Sequence, residues 1–251
     1  MRDDNFRVRF WGVRGSLPVS GQQYVAYGGN TSCIEIRCGK DVLLFDAGSG
    51  LREAGYALIA EGVEEFDLFF THSHYDHIIG LPYFKPIYKC RNSVRFWSGH
   101  LHGTMTTREM IRDFMRPPWF PVDPDICQAS LDGMDFKPGD VLTPRAGITI
   151  RTTSLNHPGG CVGYRIEWNG RAVALVYDTE HEPGVLDPGV LDLIAGAEIL
   201  EAHGARLDVA VACHERIPGA RPVGRFHLTL EPAVAVDGVG GDAGLAQLPD
   251  Q

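Results

Sequence analysis

The chain has 251 residues, 44% of them hydrophobic and 22% charged, with a formal net charge of −9. That length and balance describe one globular domain, or at most two, and the acidic surplus sets nucleic acid aside as a partner, a local basic pocket excepted. No apolar run approaches the roughly 20 residues that cross a bilayer, and the opening "MRDDNFRVRF" is not a leader, so a soluble, cytoplasmic protein without a membrane partner is expected.

In chain order, "FRVRFWGVRG" alternates apolar and polar residues and stops at glycine, as a strand does. "SCIEIRCGKDVLLFDAG" reads as two strands joined by a Gly39-Lys40 turn. A helix is expected over about 50–61, then the short apolar strand "EFDLFFTH". Next come a helix over 78–89, interrupted by Pro82 and Pro86, the strand "SVRFWSGH" and a helix over 104–115. "GITIRTTSLNHP" and "CVGYRIEWNGRAVALVYDTEH" continue the strands, the second folded at an Asn169-Gly170 hairpin turn. Asp187-Pro188 has the form of an N-cap followed by proline, which opens a helix through about His203. "RLDVAVACHE" then reads as one more strand. Strands with interspersed helices point to a layered α/β (α+β) sandwich and not to a doubly wound parallel sheet.

From Ile217 onward the sequence is Pro, Gly, Ala and Val with little periodicity. After Tyr177 the only aromatic is Phe226, although the chain carries 12 Phe, 8 Tyr and 4 Trp, and no Lys or Arg follows Arg225. Such a segment builds a poor core. The expected organisation is a domain over 1–216 and a poorly ordered tail over 217–251. The six cysteines, Cys33, Cys38, Cys90, Cys127, Cys161 and Cys213, include no C-x-x-C pair and are expected as reduced, mostly buried thiols.

The densest chemistry is "THSHYDH", in which His72, His74, Asp76 and His77 form H-x-H-x-D-H directly after a buried strand. Alternate residues at a strand end point the same way, so His72 and His74 can grip one ion, and the following turn lets Asp76 and His77 face a second. Imidazole nitrogens with carboxylate oxygens suit Zn2+, with Mn2+ or Fe2+ as alternatives when carboxylates increase.

This run resembles the signature of the metallo-β-lactamase superfamily, and other segments fit in order: "LLFDAG" with Asp46, "LNHPGG" with His157, and "VYDTEH" with Asp178. The resemblance covers about residues 6–196. It implies a four-layer αβ/βα sandwich with a metal site at its edge, incomplete here at the C-terminal end. On spacing alone His157 is as readily a loop histidine as a ligand. The resemblance makes it the third histidine of a first ion with His72 and His74, and makes Asp178 the bridge to a second ion held by Asp76 and His77. It makes Asp46 a carboxylate that buttresses the metal loop. The opening "FWGVRGSLPV…YGGNTSCIEI" is similar to the phosphodiesterase branch, namely tRNA 3′-processing endonucleases and phosphoribosyl cyclic phosphodiesterases. The implied activity is hydrolysis of a small phosphodiester, a cyclic phosphate or nucleotide, by a hydroxide bridging two zinc ions, with Asp76 and His77 as catalytic candidates. A homodimer is also within that pattern, although no periodic face in the chain marks one.

Weaker features stay two-sided. "YGGNTS" places Asn30 and backbone amides near a phosphate, or forms a tight turn. "GHLHGTMTTREMIRDFMRPPWFP" carries His100, His102, Arg108, Arg112, Arg116 and Trp119; Arg112 and its neighbours clamp phosphate oxygens or line a solvated helix face. His181 lies close to the site by sequence alone. The branch also implies a last histidine ligand and a Gly-His-Ser segment near the chain's end. The candidates are His203, His214 and His227, of which His214 ends a strand-like run. Three readings follow: His214 closes the site, the second ion rests on Asp76, His77 and Asp178 alone, or the ending from about Glu198 is frame-shifted or degraded. The competing functions are a thioester or lactone hydrolase on the same fold and a non-catalytic metal-binding remnant.

Overall fold

The computed structural model describes residues 5–121, 123–180, 185, 187–202 and 225–228, with side chains described up to Ile199. Two six-stranded sheets carry the fold. In the first, β1 (Phe6–Gly12), β2 (Cys33–Cys38) and β3 (Asp41–Phe45) are antiparallel neighbours. β4 (Glu65–Phe70), β5 (Ser93–Ser98) and β6 (Ser130–Asp135) then continue parallel to β3. The second sheet runs β7 (Val141–Leu142), β8 (Ile148–Leu155), β9 (Cys161–Trp168) and β10 (Arg171–Val176) antiparallel. β11 (Ile199–Ala202) and β12 (Arg225–Leu228) add parallel strands at its edge. The helices are α1 (Leu51–Ala60), α2 (Tyr75–Ile78), α3 (Thr107–Phe114) and α4 (Pro188–Ile194).

The two-residue period of the strands sorts the core into layers. Val42, Leu44, Phe66, Leu68 and Phe70 face α1 and α3, where Leu51, Ala54, Leu58, Met110 and Ile111 cover them. Their neighbours Leu43, Phe45 and Phe69 face the other sheet and meet Ile150, Val162, Tyr164, Val173 and Leu175. Ala174 and Val176 point out of the second sheet against Val190, Leu193 and Ile194 of α4. The order is helix, sheet, sheet, helix: the expected four-layer αβ/βα sandwich. Phe45 lies at its centre, fully buried, 5.0 Å from the Phe69 ring and 5.3 Å from that of Tyr164; truncating such a ring to alanine costs about 3–5 kcal/mol.

Parallel pairing brings the C-terminal ends of β3 and β4 to one edge, so Asp46 and Thr71 emerge side by side, with Asp46 N bonded to Phe69 O at 2.8 Å. β8 and β10 both run antiparallel to β9, so their ends, leading to His157 and Asp178, also share an edge. The sheets are joined there: Val162 N donates to Thr71 O at 2.9 Å and the Tyr164 hydroxyl donates to Phe70 O at 2.5 Å.

Two expected helices differ. Over 78–89 the chain holds only the last residue of α2 and then two 3-10 turns, Leu81–Tyr83 and Lys85–Tyr88, because Pro82 and Pro86 supply no amide to continue a helix. The helix opened by Asp187 does begin as expected, with the Asp187 carboxylate accepting from Gly189 N and Val190 N at 2.8 and 3.2 Å. It ends at Ile194 and not near His203: Gly196 takes a left-handed φ of 66°, and Ile199–Ala202 pair as a strand along β10. The strand expected over 206–215, with His203 and His214, lies outside the described residues, as does His181. His227 falls on the backbone of β12.

Candidate metal centre

Six of the expected ligands converge. His72 follows β4 directly and is buried; its Nδ1 lies 3.1 Å from the Thr71 hydroxyl, which fixes the ring and turns Nε2 towards Asp178, 3.3 Å from Oδ2. His74 Nδ1 and His157 Nε2 are 3.1 Å apart, and donor atoms of His72, His74 and His157 all lie within 4.8 Å of one another. A second set of the same compactness is His72, His77 and Asp178. Its His77 Nε2 stands 3.1 Å from Asp178 Oδ2 and 3.3 Å from Asp76 Oδ2, so Asp76 joins this set from the side. The two groups share His72, and Asp178 flanks the first as well, its Oδ2 lying 4.0 Å from His157 Nε2.

Asp46 is fully buried and has φ 60°, a left-handed backbone that few non-glycine residues adopt. Its carboxylate accepts from Thr71 N at 2.8 Å, from the Thr71 hydroxyl at 2.9 Å and from the Ser32 hydroxyl at 3.2 Å. Its Oδ2 is 2.7 Å from His77 Nδ1. With a carboxylate on Nδ1, a proton is held there and Nε2 is the nitrogen turned to Asp76 and Asp178, where an ion could take the place of its proton. Asp76 in turn is oriented by Ser16, whose amide donates to Oδ2 at 2.8 Å. Gly48 lets these loops close: a Cβ there would lie 2.4 Å from Asp76 O and 2.6 Å from Ser32 O.

The residues present fit divalent metal ions. His72 Nε2 and His157 Nδ1 are buried and make no hydrogen bond. Burial, together with the neighbouring His77, drives the His72 pKa down to about 2, so it is a neutral donor at any working pH. Burial also opposes charge on His77, yet Asp46, Asp178 and Asp76 raise its pKa well above the ordinary value. Three carboxylates around one imidazole call for a cation, a proton or a metal.

Other expected site residues lie elsewhere. The Asn30 side chain accepts from the Ser49 hydroxyl at 3.0 Å and its carbonyl takes Val13 N and Arg14 N, so it braces the turn. Arg112 is not gathered with the histidines: its guanidinium binds both oxygens of Asp125, at 2.9 and 3.1 Å. Arg108 donates to Leu131 O. His100 sits after β5 with Nδ1 3.2 Å from the Ser98 hydroxyl, and burial with the charge of His74 lowers its pKa to about 4. Residues without a sequence signal also matter: Thr71, Ser32, Ser16 and Cys161, whose sulfur lies 3.8 Å from His72 Nδ1. They reach the centre from strand ends far apart in the chain, and only the T in "THSHYDH" hints at one of them.

Comparison with known proteins agrees with this fold. Ribonuclease Z of Haloarcula marismortui is 26% identical over 220 residues, covering 86% of this chain and 65% of that protein. Ribonuclease Z of Methanosarcina acetivorans is 27% identical over 169 residues, covering 66% of this chain and 49% of that one. The chain thus spans about half to two thirds of the length of these curated relatives. Among solved structures, a diphosphatase from the PhnP family superposes with a TM-score of 0.56 at 16% identity, over 84% of this chain and 82% of that one. The short form of human tRNase Z gives 0.54 at 19% identity, over 77% and 68%; both likenesses concern the fold. The family model of the metallo-beta-lactamase superfamily matches residues 26–190.

Proposed function

The chain belongs to the metallo-β-lactamase superfamily, and from that premise we propose that it is a metal-dependent hydrolase of phosphodiesters, binding two zinc ions. The observation that carries the reading is the pair of donor groups, His72–His74–His157 and His72–His77–Asp178, which share His72 and lie side by side. The first would hold one ion through imidazoles; His77, Asp76 and Asp178 would hold the second. Bound there, divalent ions would supply Lewis acidity towards a phosphoryl oxygen and a water of lowered pKa. The chain's own work is placement. Asp46 engages His77 Nδ1 and so turns Nε2 to the centre, Thr71 and Ser32 hold Asp46, and the Ser16 amide holds Asp76. Mn2+ or Fe2+ would suit the same mixed nitrogen and oxygen donors. A cytoplasmic setting, which keeps thiols such as Cys161 reduced, fits this chemistry.

The relatives favour a phosphodiester over a thioester, lactone or β-lactam: those named ribonuclease Z cleave RNA by their name. They also restore RNA as a candidate beside a small cyclic phosphate or nucleotide, which net charge alone sets aside. His214, a further ligand candidate, and the division at residue 217 remain part of the proposal. The test is turnover of bis(p-nitrophenyl) phosphate against an acyl thioester by zinc-loaded protein. Phosphodiester turnover that chelator abolishes supports the reading, and thioester turnover alone reverses it. A protein inert towards both would stand as the non-catalytic remnant.

A further inference from the structure

A carboxylate can only accept hydrogen bonds, and from that the protons behind the metal centre can be placed. The Thr71 hydroxyl lies 2.9 Å from Oδ1 and 2.9 Å from Oδ2 of Asp46, so its one proton goes to that carboxylate. A hydroxyl whose proton is committed joins a further bond only through its lone pairs. His72 Nδ1, 3.1 Å from the same oxygen, is therefore the donor. Its other neighbour agrees. The Cys161 thiol, 3.8 Å from His72 Nδ1, gives its own proton to Tyr177 O at 3.5 Å and leaves the sulfur to accept. His72 thus carries a proton on Nδ1, and Nε2, buried and without a hydrogen bond, is the nitrogen left for an ion.

Asp46 is engaged from the far side as well, with Oδ2 2.7 Å from His77 Nδ1. One carboxylate therefore ends two lines, His72–Thr71–Asp46 and His77–Asp46. They start from the imidazoles of different ion sites, whose rings lie 4.1 Å apart. Water does not reach either line: Asp46 and Thr71 are fully buried, and His72 and His77 are 1% exposed. We infer that Thr71 is a positioning residue that ties both ion sites to one anchor, its hydroxyl linking His72 to the carboxylate that holds His77; this rests on the two-ion reading. Removing that hydroxyl loosens both sites. His72 keeps only the weakly accepting sulfur behind it. Asp46 keeps Thr71 N on Oδ1, but on Oδ2, the oxygen that meets His77, only the 3.2 Å bond from the Ser32 hydroxyl restrains it from behind.

Two measurements test this apart from turnover. In the metal-free full chain, two-bond 1H–15N NMR of the histidine rings should place the His72 proton on Nδ1. A His72 ring protonated on Nε2 alone overturns the inference without any variant. In zinc titrations against a chromophoric chelator, Thr71→Val, which loses the hydroxyl, should raise the Kd of both ions about tenfold or more. Thr71→Ser, which keeps the hydroxyl, should stay within about threefold of wild type. Weakening of one ion only, or of neither, in Thr71→Val overturns the shared anchor. So does a Thr71→Ser protein that binds as poorly as Thr71→Val, because the loss then comes from packing. Should Thr71→Val fail to fold, the His72 proton and the Thr71→Ser titration still decide. A wild-type chain that binds a single ion would sink the two-ion reading, while the position of the His72 proton would still decide the link from His72 to Asp46.

Discussion

Asp46→Asn changes one atom and tests how the centre is held. The carboxylate takes four donors, Thr71 N, the Thr71 and Ser32 hydroxyls and His77 Nδ1, in a fully buried position. Asparagine keeps an oxygen for Thr71 but sets an amide where Oδ2 accepted from His77. To avoid donor facing donor, His77 must accept at Nδ1 and carry its proton on Nε2, the atom 3.1 Å from Asp178 Oδ2. The lone pair that would hold an ion is then gone. A hydrogen bond to a charged group contributes about 1.5–3 kcal/mol. That corresponds to roughly a 10–100-fold loss of affinity for the ion at His77, the range typical of removing a carboxylate behind a ligating histidine. Zinc titration against a chromophoric chelator reads this directly. The same loss in the metal-free protein should lower Tm by about 3–12 °C. Zinc affinity within twofold of wild type would refute the argument that Asp46 sets the His77 tautomer.

Three further outcomes follow from the same geometry. Asp178→Ala removes the carboxylate of the second donor group, which also flanks His72 and His157 of the first, so dialysed protein should retain at most one ion per chain and lose at least about a hundredfold in phosphodiester turnover; two retained ions would contradict this. Gly48→Ala puts a Cβ 2.4 Å from Asp76 O and 2.6 Å from Ser32 O; the strain should cost about 1–3 kcal/mol or more, and an unchanged melting temperature would show that the loops are looser than drawn. Arg112→Ala removes an exposed group already engaged by Asp125. Its kcat/KM on bis(p-nitrophenyl) phosphate should stay within about twofold, and a larger fall would return Arg112 to the phosphate site.

Much of the centre is legible in the chain because its chemistry is local. H-x-H-x-D-H needs only a strand end and a turn, and His72, His74, Asp76 and His77 do stand together in the folded protein. Asp46, His157 and Asp178 come from other strand ends, and the order of motifs, not their spacing, pointed to them. Thr71, Ser32 and Ser16 carry no such signal, since a hydroxyl or a backbone amide acquires its role only when β2, β3 and β4 meet at one edge. The helix expected over 78–89 failed where two prolines outweighed an apolar pattern. The helix expected through His203 failed at Gly196, because an apolar run such as "AEIL" does not by itself distinguish a helix end from an edge strand. Arg112 shows the complementary limit: a basic helix face looks the same in sequence whether its partner is a phosphate or, as here, Asp125.

The central claim is that this edge of the sandwich binds metal between the two sheets. Anomalous diffraction at the zinc edge, from crystals of zinc-loaded protein, tests it most directly. The account predicts one peak bounded by His72 Nε2, His74 Nδ1 and His157 Nε2, and a second beside His77 Nε2 and Asp76, with Asp178 between them. Zinc found only at surface sites, with both donor groups empty, would contradict it.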